Sequence, residues 1–134
     1  MKPVLLDTGF IVALLDRSEM NHKRCAQTIQ NVTQPLVTCE AVIAESCYLL
    51  RGLAGASEAV LENVEKGVFQ IPFSIVRSAG PVRRILRKYR DRKIDFADAC
   101  LILLAEEVEN GEILTLDSDF QFYRWKKTKP FLLL

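Results

Sequence analysis

From Ala97 to Ala105 every residue is apolar except Asp98. A helix with no polar face has to be enclosed by other elements, so this stretch points to a buried helix inside a layered fold. Asp95 is placed to cap it, because its side chain can accept a hydrogen bond from a free amide in the first turn. Asp98 then falls in that first turn, where the helix dipole favours an anion. A carboxylate at the edge of such an apolar run is costly to desolvate unless a cation, a metal ion or several donors meet it. The neighbouring sequence offers no obvious cationic partner on the same face. Asp7, Glu45 and Asp117 stand in similarly apolar settings. The economical reading is that these four acids meet around a metal ion.

The rest of the chain supplies a scaffold that can bring them together. Val4-Leu5-Leu6 and Ile113-Leu114-Thr115-Leu116 are short apolar runs of the kind found in strands buried on both faces. Leu36–Thr38, Val68–Phe73 and Pro130–Leu134 are further strand candidates, with Pro72 marking an edge or an end. Between them the pattern predicts helices over Phe10–Leu15, His22–Gln30, Cys39–Leu53, Glu58–Lys66 (capped by Ser57), Ile75–Tyr89 and about Asp95–Asn110, the last stopped by Gly111. Pro81 either bends the fifth of these or marks its start. Strands alternating with helices give an α/β fold with a mainly parallel sheet, and sites in such folds form at the carboxyl ends of the strands. Asp7 and Asp117 each follow an apolar strand, and Glu45 and Asp98 are expected within the first turns of helices, so all four can reach one edge. A length of 134 residues suits one domain, residues 1–134, with no repeat or linker.

Composition excludes more than it assigns. The formal net charge is +1, but 12 of the 18 Lys and Arg residues lie between Arg77 and Lys129, so the second half carries a basic cluster. The four cysteines have no zinc-knuckle or redox spacing; they read as reduced small hydrophobes, which fits a cytoplasmic protein. No run is long enough to span a bilayer. His22 is the only histidine and reads as a structural residue at a helix start, so chemistry built on a histidine base has little to work with. Four carboxylates without Cys or His ligands favour magnesium or manganese. Such ions polarise phosphodiesters and activate water, which makes metal-dependent phosphodiester hydrolysis the natural reaction class.

Leu6-Asp7-Thr8, Glu45 in the long central helix, Asp95-x-x-Asp98-Ala99 and Leu114-Thr115-Leu116-Asp117-x-Asp119-Phe120 together resemble the PIN-domain ribonucleases. Within that family the likeness is strongest to the toxins of VapBC toxin–antitoxin pairs, and it runs from the first strand to the last. Tyr123-Arg124, Tyr89-Arg90-Asp91-Arg92 and the Asp16–His22 stretch share it. The resemblance implies a three-layer α/β/α fold and endonucleolytic cleavage of RNA by metal-activated water. It implies Asp7, Glu45, Asp98 and Asp117 as the magnesium or manganese quartet, Asp119 as a further acidic position, and Thr8 and Thr115 as residues that orient carboxylates or a metal-linked water. It also implies a homodimer and inhibition by a small antitoxin. Gly9 departs from the pattern, because many relatives carry Ser or Asn there.

The basic run is either a solvated face or a contact for RNA phosphates, with Arg83, Arg84, Arg87, Arg90 and Lys93 as the candidates. Phe122, Tyr123 and Trp125 either stack on bases or pack internally. Three other functions compete. A phosphatase of the haloacid dehalogenase type wants a second acid two residues after the first, where this chain has Gly9. A binding module without catalysis has no need of an intact quartet. A PIN nuclease of RNA processing, with no antitoxin, would have the same sequence features as a toxin.

Overall fold

The computed structural model describes residues 1–134. Its centre is a five-stranded sheet whose neighbours are all parallel: β1 (Val4–Leu6), β2 (Leu36–Val37), β3 (Phe69–Gln70), β4 (Glu112–Leu114) and β7 (Leu132–Leu133), in the order β3-β2-β1-β4-β7. β5 (Arg124–Trp125) and β6 (Lys129–Pro130) form a separate antiparallel hairpin. Six helices flank the sheet in a three-layer α/β/α arrangement: α1 (Thr8–Leu15), α2 (His22–Gln30), α3 (Glu40–Leu49), α4 (Ala56–Glu65), α5 (Ile75–Lys88) and α6 (Phe96–Val108).

β1, β2 and β3 are laid down in one direction across the sheet, and β4 then returns to the other side of β1. The switch point therefore lies between β1 and β4, where an open parallel sheet leaves a crevice beyond its strand ends. The register pairs Leu5 with Ile113 and Leu6 with Leu114, so the chain leaves both strands at the same level. All of Ala97–Ala105 is buried, Asp98 included, as an all-apolar helix requires. α6 packs against α5, α3 and β1 and forms the middle of the core.

Several boundaries differ from expectation. The strand expected over Ile113–Leu116 pairs only to Leu114, because its partner β1 ends at Leu6 and gives way to α1. α3 stops at Leu49, short of Leu53. The N-cap of α4 is Gly55, at φ 79°, and Ser57 donates its hydroxyl to the Cys47 carbonyl rather than capping. α5 runs unbroken through Pro81. α6 is closed by Glu109 in the left-handed conformation, not by Gly111. Gly111 answers a packing need: a β-carbon there would lie 2.2 Å from the Trp125 indole nitrogen. The final strand splits, with Lys129–Pro130 in the hairpin, Phe131 buried and Leu132–Leu133 in the sheet.

Candidate metal centre

Asp7 is the first residue beyond β1 and the N-cap of α1. One carboxylate oxygen accepts from the Thr8 amide at 2.8 Å, and the other accepts from the Thr115 hydroxyl at 2.7 Å. That second bond ties residues 108 positions apart across the β1–β4 switch point. Thr115 also accepts from the Asp117 amide at 3.0 Å. The Asp117 carboxylate in turn accepts from the Asp119 amide at 2.9 Å, which shapes the turn after β4. Asp98 sits in the first turn of α6, with its amide held by the Asp95 carboxylate at 2.8 Å. Asp95 is thus the helix cap that its sequence position suggested, and it also lines the cleft.

Asp7, Asp98 and Asp117 bring carboxylate oxygens within 4.8 Å of one another. Glu45 joins them on the wall of a cleft of about 310 Å³, but from an exposed position in the second turn of α3 rather than the first. Asp119 is exposed, and its side chain does not line the cleft. The two ion pairs of the protein, Glu62–Lys66 and Glu109–Lys126, lie elsewhere on the surface. The acids therefore face one another without a cation, and their proton affinities respond. Burial pushes the Asp98 carboxyl up to about 8, with Asp7, Asp95, Asp117 and Glu45 adding repulsion. Burial pushes Asp7 up to about 6; Asp117 and Glu45 reinforce this, while the Thr115 and Thr8 hydrogen bonds oppose it. The Tyr123 phenol is also driven upward, by burial first and then by Asp98, Asp119, Asp117 and Asp95, and it stays neutral. Sequence reading did not connect Tyr123 with the acids.

The donor set fits a hard divalent cation. It consists of oxygen ligands, it is cation-free, and its members repel one another unless protonated or bridged. A second observation agrees. The Thr8 hydroxyl lines the cleft and is the one buried side-chain polar atom without a hydrogen-bond partner. Such an orphan is normally satisfied by an ion or an ordered water. The amino ends of α1 and α6 both open onto the site and favour negative charge there.

Arg83, Arg84, Arg87, Arg90 and Lys93 are all exposed. At 100° per residue, Arg84 and Lys88 share one stripe of α5 and Arg83 and Arg87 another. Of Phe122, Tyr123 and Trp125, the last two are buried and Phe122 is exposed, with Arg92 stacked 4.0 Å above its ring. His22 heads α2 and bonds the Ala13 carbonyl at 2.7 Å, a structural role.

Fold and site together define an α/β protein with a carboxylate-walled cleft, chemically suited to a hard cation, at the switch point of its parallel sheet. The PIN domain model matches residues 4–126, and the chain belongs to the PIN-domain family. Among known proteins it is similar to Ribonuclease VapC26 of Mycobacterium tuberculosis (strain ATCC 25618 / H37Rv), at 31% identity over 116 residues, spanning 85% of this chain and 86% of that protein. Among solved structures it is similar to Mycobacterium tuberculosis VapC20, a sarcin–ricin loop cleaving toxin, with a TM-score of 0.82 and 18% identity, covering 95% of this chain and 99% of that one.

Proposed function

We propose that this protein is a metal-dependent endoribonuclease of the VapC kind, using magnesium or manganese held by Asp7, Glu45, Asp98 and Asp117. The observation that carries the reading is the cluster of three carboxylates within 4.8 Å, with no cation to neutralise them, in a chain 31% identical to a ribonuclease. When bound, such an ion polarises the phosphodiester and makes water a competent nucleophile near neutral pH. The chain's own residues prepare for this. Thr8 and Thr115 fix both oxygens of Asp7, and each oxygen keeps a lone pair free for a ligand. Asp95 and Asp117 hold the turns that present Asp98 and Asp117. A cation held there would require Asp98 in its ionised form, so occupancy is expected to rise with pH. The buried, unpartnered Thr8 hydroxyl is suited to orient a water in the cleft.

The reading includes a protein partner. Tyr48, Leu49, Leu53 and Leu61 are exposed on α3, α4 and their connection, and Leu49 also lines the acidic cleft. Leu49, an exposed apolar side chain on the cleft wall, suits a small antitoxin that covers the cleft. Homodimerisation is part of the same proposal. No helix is long and apolar enough to cross a membrane.

The test is cleavage of a mixed cellular RNA pool by antitoxin-free protein with manganese, with magnesium and with EDTA, beside Asp98→Asn prepared identically. Cleavage confined to metal-containing wild type supports the reading. Equal cleavage by the variant removes Asp98 from the site, and cleavage in EDTA removes the metal.

A further inference from the structure

A second groove, of about 370 Å³, lies between α5, α6 and the β5–β6 hairpin. Its floor is apolar, with Ile85, Tyr89, Ile102 and Leu103. Its rim carries four cations, Arg84, Lys88, Arg124 and Lys127, and one carboxylate, Glu106. None of the four cations is in an ion pair. Glu106 is occupied in accepting the Lys126 amide at 2.8 Å. Four positive charges against a single carboxylate around a concave apolar floor favour an anion with a flat or apolar body.

The rim is held in place. The Arg124 guanidinium donates to the Gln121 and Tyr123 carbonyls, both at 2.9 Å, and the Arg124 amide donates to the Tyr89 hydroxyl at 2.9 Å. The hairpin is tied to α6 through the Lys126 amide to Glu106 and through the Lys126 ammonium to Glu109 at 2.8 Å. Lys126 and Lys127 at its tip have φ of 45° and 70°, the left-handed region that glycine or asparagine occupies at least cost. Lysine side chains kept at a strained tip beside the groove are consistent with a binding role.

We propose that this groove is a second RNA-binding site. It takes one nucleotide of the substrate away from the scissile bond, with the phosphate against Arg84, Lys88 and Lys127 and the base or sugar on the Ile85–Tyr89 floor. The proposal rests on the endoribonuclease reading and adds an answer to its electrostatic difficulty. The cleavage site is walled by acids, so the affinity for a polyanion has to come from elsewhere on the surface. Asp98 lies in the first turn of α6 and Glu106 eight residues later. At 1.5 Å per residue the two sites are roughly 12 Å apart along the helix, a span of a few nucleotides.

The experiment compares wild type with the double variant Arg84→Gln, Lys127→Gly. Glycine suits the left-handed position, so the hairpin is kept while its cation is removed. Binding of a fluorescent single-stranded 20-mer RNA and of a labelled dinucleotide is measured by anisotropy in EDTA over a salt series, and cleavage of the 20-mer is measured with manganese. The variant is expected to bind the 20-mer about 10-fold more weakly at low salt, with the slope of log K against log salt reduced by about 1.4 for two lost phosphate contacts. Dinucleotide binding is expected to weaken as well, while kcat on the 20-mer stays unchanged and KM rises. Equal 20-mer affinity and equal salt slope in the two proteins overturn the proposal. So does saturable binding of free mononucleotides that the variant loses while 20-mer binding is kept, which makes the groove a small-molecule site. If neither protein cleaves but the affinity difference holds, the groove stands and the nuclease reading fails.

Discussion

In the metal-free protein, replacing Asp98 with asparagine should stabilise the fold. The wild-type carboxyl is raised from 3.8 to about 8 by burial and by four neighbouring acids. Its folded form therefore keeps a proton that the unfolded chain gives up at neutral pH. At about 1.4 kcal/mol per pH unit, the interval from 3.8 to pH 7 corresponds to a penalty of about 4 kcal/mol. The dipole of α6 returns at most about 1 kcal/mol to the charged form, so burial and repulsion win. Asparagine keeps the shape and carries no proton to hold. The sign follows from linkage: the folded state binds more protons, so the stabilisation of the protonated carboxyl is complete below about 4 and is lost as pH rises through about 8. Asp7, raised to about 6, adds a slope of the same sign at lower pH in both proteins. Thermal melts in EDTA from pH 5 to 9 should show the variant ahead by roughly 10 °C at pH 7, allowing about 3 °C per kcal/mol for a chain of this size. The gap should widen up to about pH 8 and then level off. Adding manganese should raise the wild-type midpoint and narrow the gap, because only the wild type keeps the full ligand set. A variant no more stable than wild type at pH 8 in EDTA, or a gap that shrinks with rising pH, would refute the reasoning.

Two further substitutions probe the supports of the site. Thr115→Val removes the donor to Asp7 and the acceptor for the Asp117 amide, so it should cost about 1–2 kcal/mol of stability and weaken manganese affinity by about 10-fold or more in a calorimetric titration; unchanged affinity would mean that Asp7 needs no orienting bond. Gly111→Ala places a β-carbon against the Trp125 indole, whose N–H donates to the Pro130 carbonyl, and should cost about 2–3 kcal/mol in urea unfolding. Gly9→Ala is the matched control, since a β-carbon at Gly9 meets only Leu116 at 3.8 Å; equal losses at both glycines would show that the indole contact is not the cause.

The contrast between those glycines shows where sequence reading stops. Gly111 follows a helix and looks like its cap, yet Glu109 does that work and Gly111 makes room for a ring 14 positions further on. Local pattern specifies local conformation; it does not say which distant side chain needs the space.

Read alone, the sequence determined the kind of elements, their order and the acids that apolar surroundings made conspicuous. The alternation of short apolar runs with helical stretches yields the parallel α/β layering, because each such element buries a face that only another layer can cover. Asp7, Asp98 and Asp117 stood out because an isolated carboxylate in apolar sequence is too costly to lack a purpose. Only the tertiary structure decided which of the acids meet. The pairing of Leu6 with Leu114 brings Asp7 to Thr115 across 108 residues and Asp117 to both, while Glu45 stays on the exposed wall and Asp119 turns away. The basic cluster was visible as a run of letters, but its division between two stripes of α5, and the meeting of one stripe with the β5–β6 hairpin, arise from how helices pack. Distances between residues far apart in the chain are set by strand register and helix docking, and those belong to the assembled core rather than to any local stretch of sequence.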